Sequence, residues 1–101
     1  MTANELTQAI LKYLNAQPNT LAWRNVANRV KGRRFTGKKG VGDIIAVHKG
    51  RHVEVEVKVG ADQMRPEQIE HCAAVENAGG VYLVARDWDE FMQDWARKML
   101  S

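Results

Sequence analysis

The chain has 101 residues, 45% hydrophobic and 27% charged, which is one ordinary globular domain rather than a disordered chain, with no room for a second core. Its single cysteine, Cys72, excludes an internal disulfide framework and zinc-ligand spacing and fits a reducing, intracellular setting. The N-terminus lacks a signal peptide's apolar segment, and no run approaches the ~18 apolar residues of a membrane span. The net charge of +3 is unevenly spread: residues 1–42 hold eight basic side chains and one acid, Glu5, while residues 43–101 hold seven basic and eleven acidic ones, so one surface suits a polyanion such as nucleic acid.

Residues 2–16 are predicted to form an amphipathic helix. Thr2 and Glu5 have capping-box spacing, Leu6, Ile10 and Leu14 recur at helical period, and Pro18-Asn19 ends it. Leu21, Trp23 and Val26 suggest a strand over 21–26. Arg29 to Gly40 carries six basic residues, three glycines and Phe35, and reads as a mobile loop or long hairpin turn. Basic residues at this density around one aromatic suit phosphate contacts and base stacking. The competing reading is a flexible, solvated surface loop with no ligand, with Phe35 tucked into the core.

Two apolar-alternating runs follow, Asp43–His48 and Arg51–Lys58, around the turn signal Lys49-Gly50, which predicts a hairpin. Pro66 is placed to open a helix with Ile69, Cys72, Ala73 and Glu76 on one side, closed by Gly79-Gly80. Val81–Ala85 is a short apolar run typical of a buried strand. Asp87 and Glu90 repeat the capping-box spacing before a last helix striped with Trp88, Phe91, Met92, Trp95 and Met99. The order helix, three strands, helix, strand, helix predicts an α/β fold with a mixed sheet.

Strand parity singles out a site in the hairpin. Val53, Val55 and Val57 point one way, and His52, Glu54, Glu56 and Lys58 the other. If Lys49-Gly50 is the whole loop, His48 pairs with Arg51 and Asp43 falls opposite Glu56. Carboxylates facing each other at that range repel unless a cation lies between them. A divalent ion beside Lys58 supplies what phosphodiester hydrolysis needs. The competing reading is a solvated strand face, against which the apolar flanks Ile44, Ile45, Val53, Val55 and Val57 place these charges on a largely buried sheet. Gln68, one turn into the following helix, is either an exposed glutamine or a contributor to the site. Glu5 is either a cap or a third carboxylate. His48, His52 and His71 have no metal spacing and read as structural, and Cys72 reads as a core residue.

Gly40-Val41-Gly42-Asp43, Glu56-Val57-Lys58, Pro66-Glu67-Gln68 and Ala78-Gly79, in this order over residues 5–91, resemble the VRR-NUC (virus-type replication-repair nuclease) branch of the PD-(D/E)XK nucleases. The departure is Val41-Gly42-Asp43 in place of the usual V-P-D. Losing that proline is expected to loosen the approach to the strand without removing a ligand. The resemblance implies a restriction-endonuclease-like αβββαβ core spanning 1–101 as a single nuclease domain. It implies metal ligation by Asp43, Glu56, the Val57 carbonyl and, in many members, Glu5. It implies catalysis by Lys58, a supporting Gln68, and Mg²⁺- or Mn²⁺-dependent hydrolysis of DNA. Short stand-alone members resemble cytoplasmic bacterial and phage proteins that act as homodimers on branched DNA, including four-way (Holliday) junctions. Arg29, Lys31, Arg33, Arg34, Lys38 and Lys39 are the expected DNA contacts. The alternatives are a nuclease of the same fold acting on duplex or flap DNA or on RNA, and a non-catalytic nucleic-acid-binding module.

Overall fold

The computed structural model describes residues 1–26 and 38–100. The elements are α1 (Ala3–Ala16), β1 (Thr20–Arg24), β2 (Ile44–His48), β3 (Arg51–Val57), α2 (Pro66–Asn77), β4 (Val81–Ala85) and α3 (Trp88–Met99). The strands form one sheet in the order β1-β2-β3-β4, antiparallel until the last pair, which is parallel. A parallel neighbour needs a crossover, and α2 supplies it. The predicted mixed α/β architecture is therefore present, in the element order of an αβββαβ core followed by one more helix.

Local chemistry fixes the boundaries. Thr2 accepts from the Glu5 amide and Glu5 returns a carboxylate to the Thr2 amide, a complete capping box. In the β2–β3 turn Lys49 and Gly50 both take left-handed backbone angles, φ 50° and 81°, as a two-residue hairpin loop requires. His48 accordingly pairs with Arg51 and Ile44 with Val55. A Schellman closure ends α2, with the Gly79 amide on Glu76 O and the Gly80 amide on Val75 O. β1 lies one residue earlier than predicted at its start and stops at Arg24. Beyond it, Asn25 turns its side-chain amide to Gly42 O and its backbone amide to Asp43 O.

The two faces of the sheet are unlike. On one, Leu6, Ile10 and Leu14 of α1 and Phe91 and Trp95 of α3 pack on Ala22, Ile44, Ala46, Val53, Val55, Val57, Val81 and Leu83. His48 lies on this face, 2.6 Å from the Thr20 hydroxyl and edge-on to Trp95, and burial lowers its pKa. α2 covers part of the other face, with the side that carries Ile69, Cys72, Ala73 and Glu76 turned mostly outward. Its buried residues are Gln68 and Val75, Ile69 is 58% exposed, and Ala73 and Glu76 face outward. The strand residues beneath it are the polar Glu54 and Glu56, so the helix turns its polar side inward. Cys72 is half-buried rather than in the core. Burial pushes its thiol up to about 11, with Glu76 adding to the shift.

Candidate active site

Asp43 stands one residue before β2, and the ladder that pairs Ile44 with Val55 carries it to the level of Glu56. Its Oδ2 accepts the Val57 amide at 2.8 Å, so the side chain continues the hairpin ladder where the backbone of β2 leaves it. Glu56 is 4% exposed. Its Oε1 accepts from Gln68 Nε2 at 3.2 Å, and its Oε2 lies 3.5 Å from the Tyr82 hydroxyl. The Lys58 ammonium lies between Glu56 Oε1 at 3.7 Å and Asp62 Oδ2 at 3.8 Å. Gln68 serves twice, because its Oε1 also accepts the Arg65 amide and caps α2.

The charges of this cluster are not balanced. Burial and then the nearby Asp43 carboxylate push the Glu56 pKa up to about 8, and Lys58 and Arg65 offset this only in part. A buried carboxyl, Glu56, and a half-buried one, Asp43, within reach of each other are thus under-neutralised by the protein's own cations. Among the described residues no group of three or more His, Cys, Asp and Glu side chains is arranged to hold a metal ion. A pair of carboxylates completed by a backbone carbonyl, water and substrate oxygen is a usual way of holding Mg²⁺, and Val57 lines the same cleft as both acids. The donor set is all oxygen, which suits Mg²⁺ or Mn²⁺.

Glu5 does not join them. It is exposed, its carboxylate bonds the Thr2 amide, that bond lowers its pKa, and it is absent from the cleft lining.

The site floors a cleft of about 850 Å³. The N-terminal turn of α1 (Ala3, Asn4, Thr7), the end of β1 (Arg24, Asn25), Lys38–Asp43 and the start of α2 (Glu67, Gln68) form its walls. Two helix N-termini thus open toward it, each carrying partial positive charge. Lys38 and Lys39 line it, joined by Arg24 and Arg65, which the sequence did not single out. Arg29, Lys31, Arg33, Arg34 and Phe35 lie outside the described residues.

The sequence reading also missed Glu54. It is 3% exposed and accepts from the Gly42 amide at 3.0 Å, while its oxygens lie 2.7 Å from His52 Nε2 and 2.9 Å from His71 Nε2. Burial alone would raise its pKa, but His52, the Gly42 amide and His71 together bring it below the ordinary carboxylate range. The available signal was parity: Glu54 shares a strand face with Glu56, and His71 lies one turn from Gln68 on α2. Nor is the approach to β2 loosened by the missing proline. Gly42 is bonded on both sides, and a Cβ there would lie 2.9 Å from Val55 O.

No family model, curated protein or solved structure matches the chain.

Proposed function

We propose that the chain is a metal-dependent DNA endonuclease selective for branched substrates such as four-way junctions, working as a homodimer in the cytoplasm of a bacterial or phage-infected cell. The observation that carries the hydrolytic reading is the meeting of Asp43, Glu56 and Lys58 at the floor of a cleft whose walls hold Arg24, Lys38, Lys39 and Arg65. Asp43 and Glu56, with the Val57 carbonyl, would hold Mg²⁺ or Mn²⁺. Such an ion polarises a phosphoryl group and makes a bound water more acidic. Lys58, kept by Glu56 and Asp62 between two carboxylates, orients the attacking water and balances the charge that grows on the phosphoryl oxygens. Gln68 holds Glu56 in place, and the basic walls with the two helix N-termini seat the phosphate backbone.

The test is cleavage of labelled four-way junction, flap, duplex and RNA substrates with Mg²⁺ or EDTA, by wild type and Lys58→Ala. The expected result is Mg²⁺-dependent cutting of the junction, strongest among the four. Lys58→Ala should bind DNA with unchanged affinity and cut at least ~10²-fold more slowly. A Lys58→Ala variant that cuts at the wild-type rate rules out this mechanism, and preference for another substrate moves the selectivity to that class.

A further inference from the structure

Among the described residues Glu54 is the one buried acid for which the proposed hydrolysis has no use. It stands two residues from Glu56 on the same strand face, beneath α2, and its bonds lead toward the site. Oε1 accepts the Gly42 amide and, with Oε2, faces His71 Nε2, while Oε2 also meets His52 Nε2. Gly42 is the residue before Asp43, and among the described residues the stretch Gly40–Asp43 has a short set of other anchors, of which the Val57 amide holds Asp43 Oδ2 itself at 2.8 Å. Tyr82 donates its hydroxyl to Gly40 O at 3.3 Å, and Asn25 donates to Gly42 O and Asp43 O. Of these anchors Glu54 is the only charged one, and a charge-assisted bond to a backbone amide is among the stronger kinds. Glycine is required for the fit on this side. A Cβ at Gly40 would lie 2.2 Å from Glu67 O and one at Gly42 2.9 Å from Val55 O, so the segment is wedged between α2 and β3.

We infer that Glu54 is a positioning residue: held by His71 and His52, it fixes the Gly42 amide and thereby aims the Asp43 carboxylate across to Glu56. His71 and His52 act as the donors that keep the Glu54 carboxylate turned to Gly42. Polar groups one bond removed from a ligand tune metal affinity in this way, and losing one costs roughly 10–100-fold. The inference rests on the reading of Asp43 and Glu56 as the ion's ligands.

The experiment compares wild type, Glu54→Gln and Glu54→Leu by calorimetric titration with Mn²⁺, amide hydrogen exchange of the ion-free protein, and junction cleavage. Wild type should show a protected Gly42 amide although it lies outside any strand. Glu54→Leu should lose that protection while the Val53 and Val55 amides keep theirs. It should bind Mn²⁺ at least ~10-fold more weakly and turn over more slowly with unchanged DNA affinity. Glu54→Gln, which keeps an acceptor oxygen, should recover most of both. A Glu54→Leu protein with wild-type Mn²⁺ affinity overturns the inference. If that variant does not fold, a wild-type Gly42 amide that exchanges as fast as that of Lys39 overturns it. Wild type that binds no Mn²⁺ overturns the metal reading itself, a distinct result.

Discussion

With its pKa at about 8, the Glu56 carboxyl keeps its proton through most of the neutral range, whereas its ordinary value is 4.5. Between those two values the folded, ion-free protein binds more protons than the unfolded chain. The contribution of Glu56 to stability is therefore intact below pH 4.5 and is lost as pH rises toward 8. His48 works in the opposite sense. Its pKa is lowered by burial, so protonation of the unfolded chain below pH 6.5 draws stability away on the acid side. Comparing wild type with Glu56→Gln isolates the first effect. In EDTA the two should match at pH 4.5, and the variant should be more stable at pH 8.5 by roughly 1–3 kcal/mol in urea unfolding. A difference that stays flat with pH would remove the charge repulsion from the argument. Mn²⁺ should reverse the order at pH 8.5, because Glu56 then has the cation it lacks and glutamine does not. At this scale the sequence was half legible. Strand parity found Asp43, Glu56 and Lys58, because a period of two leaves little choice of face. It did not distinguish Glu54 from a solvated acid, since what lies over a strand face is decided by tertiary packing. Glu5 shows the converse: its capping spacing was local and proved sufficient, and that bond occupies its carboxylate.

Among the elements, the hairpin was the most legible because its two-residue loop fixes the register and the register fixes which carboxylates meet. α2 was the least. The sequence put Ile69, Cys72, Ala73 and Glu76 on one side without showing which side meets the sheet, and the helix lies over acids and turns Gln68 and His71 toward them. Hydrophobic periodicity assumes an apolar partner, and beneath α2 the sheet offers Tyr82 beside two acids, Glu54 and Glu56. The turn that sets the register carries some strain. Lys49 holds a left-handed angle of φ 50°, which costs a side-chain-bearing residue about 1–2 kcal/mol. Asparagine tolerates that region better and is the favoured residue before glycine in such turns. Lys49→Asn should raise stability by roughly 0.5–1 kcal/mol in denaturant unfolding, with Mn²⁺ affinity unchanged. A loss of stability would mean that the lysine side chain has a contact worth more than the backbone strain.

For the whole molecule, the charge asymmetry of the sequence becomes a spatial one at the cleft. Arg24, Lys38 and Lys39 come from the basic first part of the chain, and Asp43, Glu56 and Asp62 from the acidic remainder. The fold brings the two together because β1 is the edge strand on the β2 side, so its end lies next to the approach to Asp43. A polyanion entering there would meet cations on the walls before reaching the carboxylates on the floor, and those carboxylates would repel it unless an ion were present. Two consequences can be measured together. Junction binding should tighten with Ca²⁺ or Mn²⁺ relative to EDTA. Its logarithm should fall linearly with the logarithm of salt, by about 0.9 for each phosphate neutralised in duplex regions. Replacing Arg24, Lys38 and Lys39 together by glutamine should lower that slope by roughly 2–3 and weaken binding about equally for all DNA shapes, since phosphate contacts position without reading sequence. Arg24 also holds Asn4 on α1 through a 2.9 Å bond, so Asn4→Ala serves as the control for loss of that anchor alone and should leave the slope unchanged. If the triple variant keeps the wild-type slope, the DNA does not run over these three residues, and its path lies on another face of the molecule.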